Sequence, residues 1–124
     1  MLKHADFERV YQQGRRHFST SMTVFFLERE KDRGPRVGLT VGKVLGGAVT
    51  RNRIKRRVRE AVRRHLLSLT ANVDVVINPK KSASAVETGT LEAEVERAFA
   101  AVQQGKGVAA SETPRRPRVK VKLR

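Results

Sequence analysis

Residues 48–69 constrain the fold more than any other stretch of the chain. Ile54, Val58, Ala61, Val62, Leu66 and Leu69 fall on one stripe of a period of about 3.6 residues, which predicts an amphipathic helix with one face committed to a core. At about 100° per residue, Asn52, Arg56, Arg59 and Arg63 lie within roughly 60° of one another on the opposite side. Between positions 51 and 64, eight cations (Arg51, Arg53, Lys55, Arg56, Arg57, Arg59, Arg63, Arg64) stand against a single acid, Glu60. That acid sits four residues from both Arg56 and Arg64, where it can orient both guanidinium groups. Like charges at these spacings destabilise an isolated helix, so the pattern serves a partner and not the helix itself.

The flanking sequence supplies what the apolar stripe must pack on. Residues 3–13 predict a first helix, with Phe7, Val10 and Tyr11 on one side and Gly14 as a left-handed terminator. Residues 20–28 are rich in Thr, Val and Phe and predict a strand, and 29–35 reads as a hairpin loop into a second strand over 36–43. In that second strand Val37, Leu39 and Val41 alternate with Gly38, Thr40 and Gly42, giving an apolar face and a small one. Residues 72–78 form a buried strand closed by Pro79, and a last helix carries Leu91, Val95, Ala98, Phe99 and Val102 and stops before Gly105. A short extra strand fits at 16–19. The expected class is α+β, a small central mixed sheet packed with helices in the order α-β-β-(β)-α-β-α.

Charge separates the chain into two parts. Overall, 27 Lys+Arg against 12 Asp+Glu give a formal charge of +15 over 124 residues. Residues 105–124 hold seven cations, one acid, two prolines and two glycines with few large apolar groups, so they read as a flexible basic tail behind a single domain over 1–104. Glu87, Glu92, Glu94 and Glu96 cluster late in the domain and are expected to face away from a polyanion. A chain without cysteine has no disulfides and no thiolate chemistry. With no run of about 18 apolar residues and a polar, charged start, a cytoplasmic protein is expected.

So large a positive excess points to nucleic acid. Arg outnumbers Lys in the basic helix, and its planar fork grips phosphate through two hydrogen bonds and stacks on bases. A membrane-surface helix would turn its apolar side to lipid, but here that side is needed for the core, so no membrane partner is expected. No zipper, helix-turn-helix spacing or zinc-ligand set accompanies the helix, which disfavours DNA and leaves RNA. Gly42-Lys43-Val44-Leu45-Gly46-Gly47 lacks the GxxxxGK-Ser/Thr order of a phosphate loop and reads as a strand-to-helix turn. His4, His17 and His65 share no ligand spacing, and no Ser, His and Asp grouping is visible. His65 is expected to border the core. The aromatic residues Phe7, Tyr11, Phe18, Phe25 and Phe26 suit a core, or in part a surface on which unpaired bases stack.

The run Arg51-Asn52-Arg53-Ile54-Lys55-Arg56-Arg57-Val58-Arg59-Glu60 closely resembles the signature of the bacterial ribonuclease P protein component. The resemblance extends to Val37-Gly38-Leu39-Thr40-Val41-Gly42-Lys43, to Asp6 through Gly14, to Asp74-Val75-Val76-Ile77 and to the last helix, about residues 2–104 in all. It implies a left-handed βαβ crossover, a fold also found in a ribosomal-protein domain. It further implies a protein that assists a catalytic RNA in removing the 5′ leader of precursor tRNA with Mg²⁺, the RNA performing the chemistry. By motif position, Arg51, Asn52, Arg53, Lys55, Arg56, Arg59, Arg63 and Lys43 would contact the catalytic RNA. Phe7, Tyr11, Thr40 and Phe18 would line the path of the single-stranded leader. The implied Mg²⁺ belongs mainly to the RNA, with no metal site in the protein. The sequence departs from the family at Gly42-Lys43-Val44, where Ser-Lys-Lys is usual, and in the basic segment before the first helix, of which Lys3 remains. The competing reading is a small basic ribosomal or ribosome-assembly protein with no part in cleavage.

Overall fold

The structure, a computed structural model, describes residues 4–29, 34–105 and 108–109. Three helices, α1 (His4–Gln13), α2 (Ala48–His65) and α3 (Thr88–Gln103), pack on a sheet of β1 (Arg15–Phe18), β2 (Met22–Glu28), β3 (Arg36–Leu39), β4 (Val73–Pro79) and the two-residue β5 (Val108–Ala109). The order across the sheet is β3-β4-β2-β1-β5, with β3 parallel to β4 and the other neighbours antiparallel. This is the expected α+β class with a mixed sheet, including the short extra strand.

β4 is an interior strand, between β3 and β2, because its side chains suit nothing else. Val73, Asp74, Val75, Val76 and Ile77 are all buried, so this run needs a layer on each face and a strand on each side. Met22, Val24, Phe26, Val73, Val75 and Ile77 point to one layer and meet Ile54, Val58 and Ala61 of α2 and Leu91, Val95, Ala98, Phe99 and Val102 of α3. Phe25 and Val76 point the other way and meet Phe7, Val10 and Tyr11 of α1. The sheet therefore separates a large core under α2 and α3 from a smaller one under α1.

Several expectations are corrected here. The 29–35 loop does not join neighbouring strands, because β4 inserts between β2 and β3. The strand over 36–43 ends at Leu39, after which a 3-10 turn at Lys43–Leu45 drops Leu45 into the core. The helix expected to reach residue 69 ends as α-helix at His65, and a 3-10 turn at Leu66–Ser68 carries Leu69 inward. Gly14 is not left-handed, since positive φ among described residues is confined to Gly34, Gly46 and Gly105. Its reason is space: a Cβ there would sit 2.5 Å from the carbonyl oxygens of both Phe26 and Val10. Gly105, at φ 68°, does end α3 in the left-handed region. β5 lies beyond the compositional boundary at 105, while 106–107 and 110–124, the rest of the expected tail, lie outside the described residues.

The acids of α3 do not all face outward. Glu94 is buried, and its Oε1 accepts the Ser21 backbone N–H at 2.8 Å, holding the β1–β2 turn against the helix. Glu92 turns toward α2, with Arg64 at 3.6 Å and His65 at 3.7 Å, so His65 lies half-buried at the edge of the core as expected.

Candidate nucleic-acid interface

α2 begins after Gly46, whose φ of 126° turns the chain from the 3-10 segment into the helix. Once Ile54, Val58 and Ala61 are seated in the core, the pitch of the helix distributes its cations over three sides. On the side toward α3 they are bonded internally. Arg53 Nε donates to the Ser84 carbonyl at 2.7 Å, and Arg57 donates to the carbonyls of Ala83, at 2.8 Å, and Val86. Both guanidiniums thus fasten α2 to the turn at Lys81–Ser84 that follows β4.

On the outward side Asn52, Arg56, Arg59 and Arg63 are exposed, as the wheel predicts. Arg63 donates twice to Glu60, at 2.8 and 2.9 Å, with Arg64 at 3.4 Å from the same carboxylate. The Arg63 hydrogen bond lowers the Glu60 pKa below the usual carboxylate value, so this acid stays ionised and orients its arginines. On the side toward β3 stand Lys55, Arg59 and Arg63, over a groove floored by Val37, Leu39 and Val62. The side chains of Lys55, Arg56 and Arg59 make no hydrogen bond or ion pair with any described residue. Arg51 is half-buried with its Nε unpartnered among described residues. Lys43 is exposed in the turn before α2, beside Val44 at 89% exposure.

The α1 side of the sheet gathers the other group of expected site residues, but unequally. Phe7 and Tyr11 are interior, at 8% and 4% exposure, and Tyr11 meets Phe25 edge-on with ring centres 4.7 Å apart. The Tyr11 hydroxyl donates to Asn78 Oδ1 at 2.7 Å, and the half-buried Thr40 hydroxyl donates to the same oxygen. Burial raises the Tyr11 pKa, against the lowering effect of the Thr40 and Asn78 side chains at its hydroxyl. Further along this face, Arg16 lies over the Phe25 ring at 5.5 Å, and Phe18, two residues on, is 55% exposed. Of the four residues expected to line the leader path, Phe18 alone offers a largely open ring.

Two features escaped the sequence reading. Asp74, fully buried in the centre of the sheet, holds Arg29 at 2.8 Å and Arg36 at 2.9 Å, tying the end of β2 to β3 across β4. The lone acid inside an apolar strand was the visible signal. Asn78 is the shared acceptor for Tyr11 and Thr40, and nothing in its flanking residues marked it.

The profile of the Ribonuclease P family matches residues 1–103. The chain belongs to the ribonuclease P protein family. The ribonuclease P protein component of Acidothermus cellulolyticus is 35% identical over 107 residues, covering 86% of this chain and 89% of that one. The component from Syntrophus aciditrophicus is 39% identical over 85 residues, covering 68% and 71%. Among solved structures, the ribonuclease P protein of Staphylococcus aureus superposes with a TM-score of 0.71 at 28% identity, covering 83% of this chain and 94% of that one. The Thermotoga maritima protein gives 0.70 at 26%, covering 80% and 93%. Membership makes the chain a protein component of a ribonucleoprotein.

Proposed function

We propose that this chain binds the catalytic RNA of ribonuclease P through α2 and receives the 5′ leader of precursor tRNA on the sheet face beside α1. The observation that carries the reading is the division of the α2 cations. Arg53 and Arg57 are tied to backbone carbonyls, whereas Lys55, Arg56 and Arg59 stand beside them with no described partner. The bonds of Arg53 and Arg57 fix the helix, and the unpartnered cations it carries are left available to phosphate. The proposed RNA contacts are Arg51, Asn52, Lys55, Arg56, Arg59, Arg63 and Lys43, with Arg53 contributing the part of its guanidinium not bonded to Ser84. On the leader side Phe18 offers a stacking face, the half-buried Thr40 offers polar contacts, and Phe7 and Tyr11 shape that face from within.

No described grouping of three or more His, Asp or Glu residues suits a metal ion. Asp74 and Glu60 are each engaged by two arginines. These described residues do not fit a resident Mg²⁺; in the reading proposed here the RNA holds the Mg²⁺ and performs the hydrolysis. The protein's part is to bind and position: cations neutralise RNA phosphates, and the sheet face holds a leader of varied sequence without reading base edges. Site of action is the cytoplasm; among the described residues no helix is long and apolar enough to cross a membrane. The test is cleavage of precursor tRNA by the cognate RNA at low Mg²⁺, with and without the protein. A gain in cleavage or affinity is expected, and no gain refutes the reading. A protein that co-purifies with ribosomal particles instead of one RNA of a few hundred nucleotides would favour the ribosomal alternative.

A further inference from the structure

The groove between β3 and α2 has a construction that phosphate binding alone does not explain. It encloses about 510 Å³, within the range of small-ligand sites, roughly 300–1,000 Å³. Its floor is apolar, from Val37, Leu39, Val62 and Leu66, and one wall carries Lys55, Arg59 and Arg63. β3 is the edge of the sheet on this side. The parallel register with β4 and the bond from Thr40 N–H to the Ile77 carbonyl, at 3.1 Å, turn the amides of Gly38 and Thr40 toward β4. The N–H and C=O groups of Val37 and Leu39 therefore point away from β4 along the open edge of the sheet, beside the groove.

We propose that this groove takes one unstacked nucleotide of the catalytic RNA, its base on the apolar floor and its flanking phosphates on the α2 wall. The inference rests on the RNA-binding reading above and names a subsite within it. Three observations select this occupant. The wall cations recur every four residues, about 6 Å along the helix axis, which is on the scale of the step between successive phosphates of a single strand. An apolar floor under a cationic wall matches a ligand with a flat face and an anionic edge, which is a nucleotide. Two outward-facing residues give an added peptide strand too short a ladder to hold it, but they offer both donors and acceptors to the edge of one base.

The experiment is a footprint of the cognate RNA with the full-length chain, reading base reactivity and backbone protection on the same complex. A parallel measurement uses Leu66→Asn, which makes the groove floor polar at a residue already 39% exposed. Expected is one unpaired base protected by the parent and several-fold more reactive with Leu66→Asn, while backbone protection near it persists. Backbone protection without any base that responds to Leu66→Asn overturns the nucleotide subsite and leaves the RNA-binding reading standing. No protection of any kind overturns both. If Leu66→Asn changes the unfolding midpoint, Val62→Thr, which keeps the side-chain shape, is read in the same way. Saturable binding of an acidic peptide to the groove, competing with no RNA base, also overturns the proposal.

Discussion

The two flanks of α2 carry cations of the same kind and use them in opposite ways. Toward α3, Arg53 and Arg57 are bonded to carbonyls of the Lys81–Ser84 turn and its neighbour, and Arg64 reaches Glu92. Toward β3 and outward, Lys55, Arg56 and Arg59 meet no described partner. One flank fixes where the helix lies, and the other presents charge from that fixed position. A count of cations treats both flanks alike, so a high net charge overstates the surface given to RNA.

The comparison is broken most severely by removing a charge the fold uses. Asp74→Asn leaves Arg29 and Arg36 without their buried carboxylate. Loss of one partner of a buried pair costs about 3–5 kcal/mol, and the partial exposure of Arg36 places this case near 3 kcal/mol. Urea unfolding should show that loss, with affinity for RNA falling only in step with the unfolded fraction. A smaller effect is expected at Arg57→Ala, which strips hydrogen bonds from the carbonyls of Ala83 and Val86 and should lower stability by about 1 kcal/mol. Arg56→Ala and Arg59→Ala should stay within about 0.5 kcal/mol of the parent, as exposed substitutions without packing loss usually do.

The same contrast between interior and surface exists on the α1 face, and pH sharpens it. Tyr11 is the chain's single tyrosine and there is no tryptophan, so tyrosinate absorbance reads this residue alone. Burial raises its pKa above the ordinary value of 10.0, so the folded state prefers the neutral phenol. The corresponding stability is fully present below that ordinary value and is lost as pH rises through the raised one. Absorbance should titrate above the free-tyrosine range in the folded chain and return to it in urea. Tyr11→Phe should remove this alkaline loss of stability, a modest effect. Titration at the ordinary value in the folded chain would place Tyr11 on the surface.

Much of this was legible in the sequence because periodicity reports burial. The stripe of Ile54, Val58 and Ala61 located α2 and, by subtraction, its cationic side, while the apolar run at 73–77 located the central strand. Strand order was not legible, since 29–35 has the composition of a hairpin loop and only the parallel crossover through α2 places β4 between β2 and β3. The roles of Arg53 and Arg57 were hidden for a similar reason. Their partners are carbonyls of residues 83–86, and backbone acceptors leave no mark in the side-chain sequence. Phe7 and Tyr11 were assigned to the leader path by motif position, but their depth depends on how α1 seats against Phe25 and Val76, which spacing alone does not fix.

The division of α2 is tested most directly by the salt dependence of binding to the cognate RNA, comparing Arg59→Gln with Arg57→Gln. Each phosphate contact contributes about 0.7–0.9 to the slope of log affinity against log salt. Arg59→Gln should lower the slope by about one such step with unfolding unchanged, and Arg57→Gln should lower stability with the slope of the parent. An unchanged slope for Arg59→Gln together with a reduced one for Arg57→Gln would contradict the division.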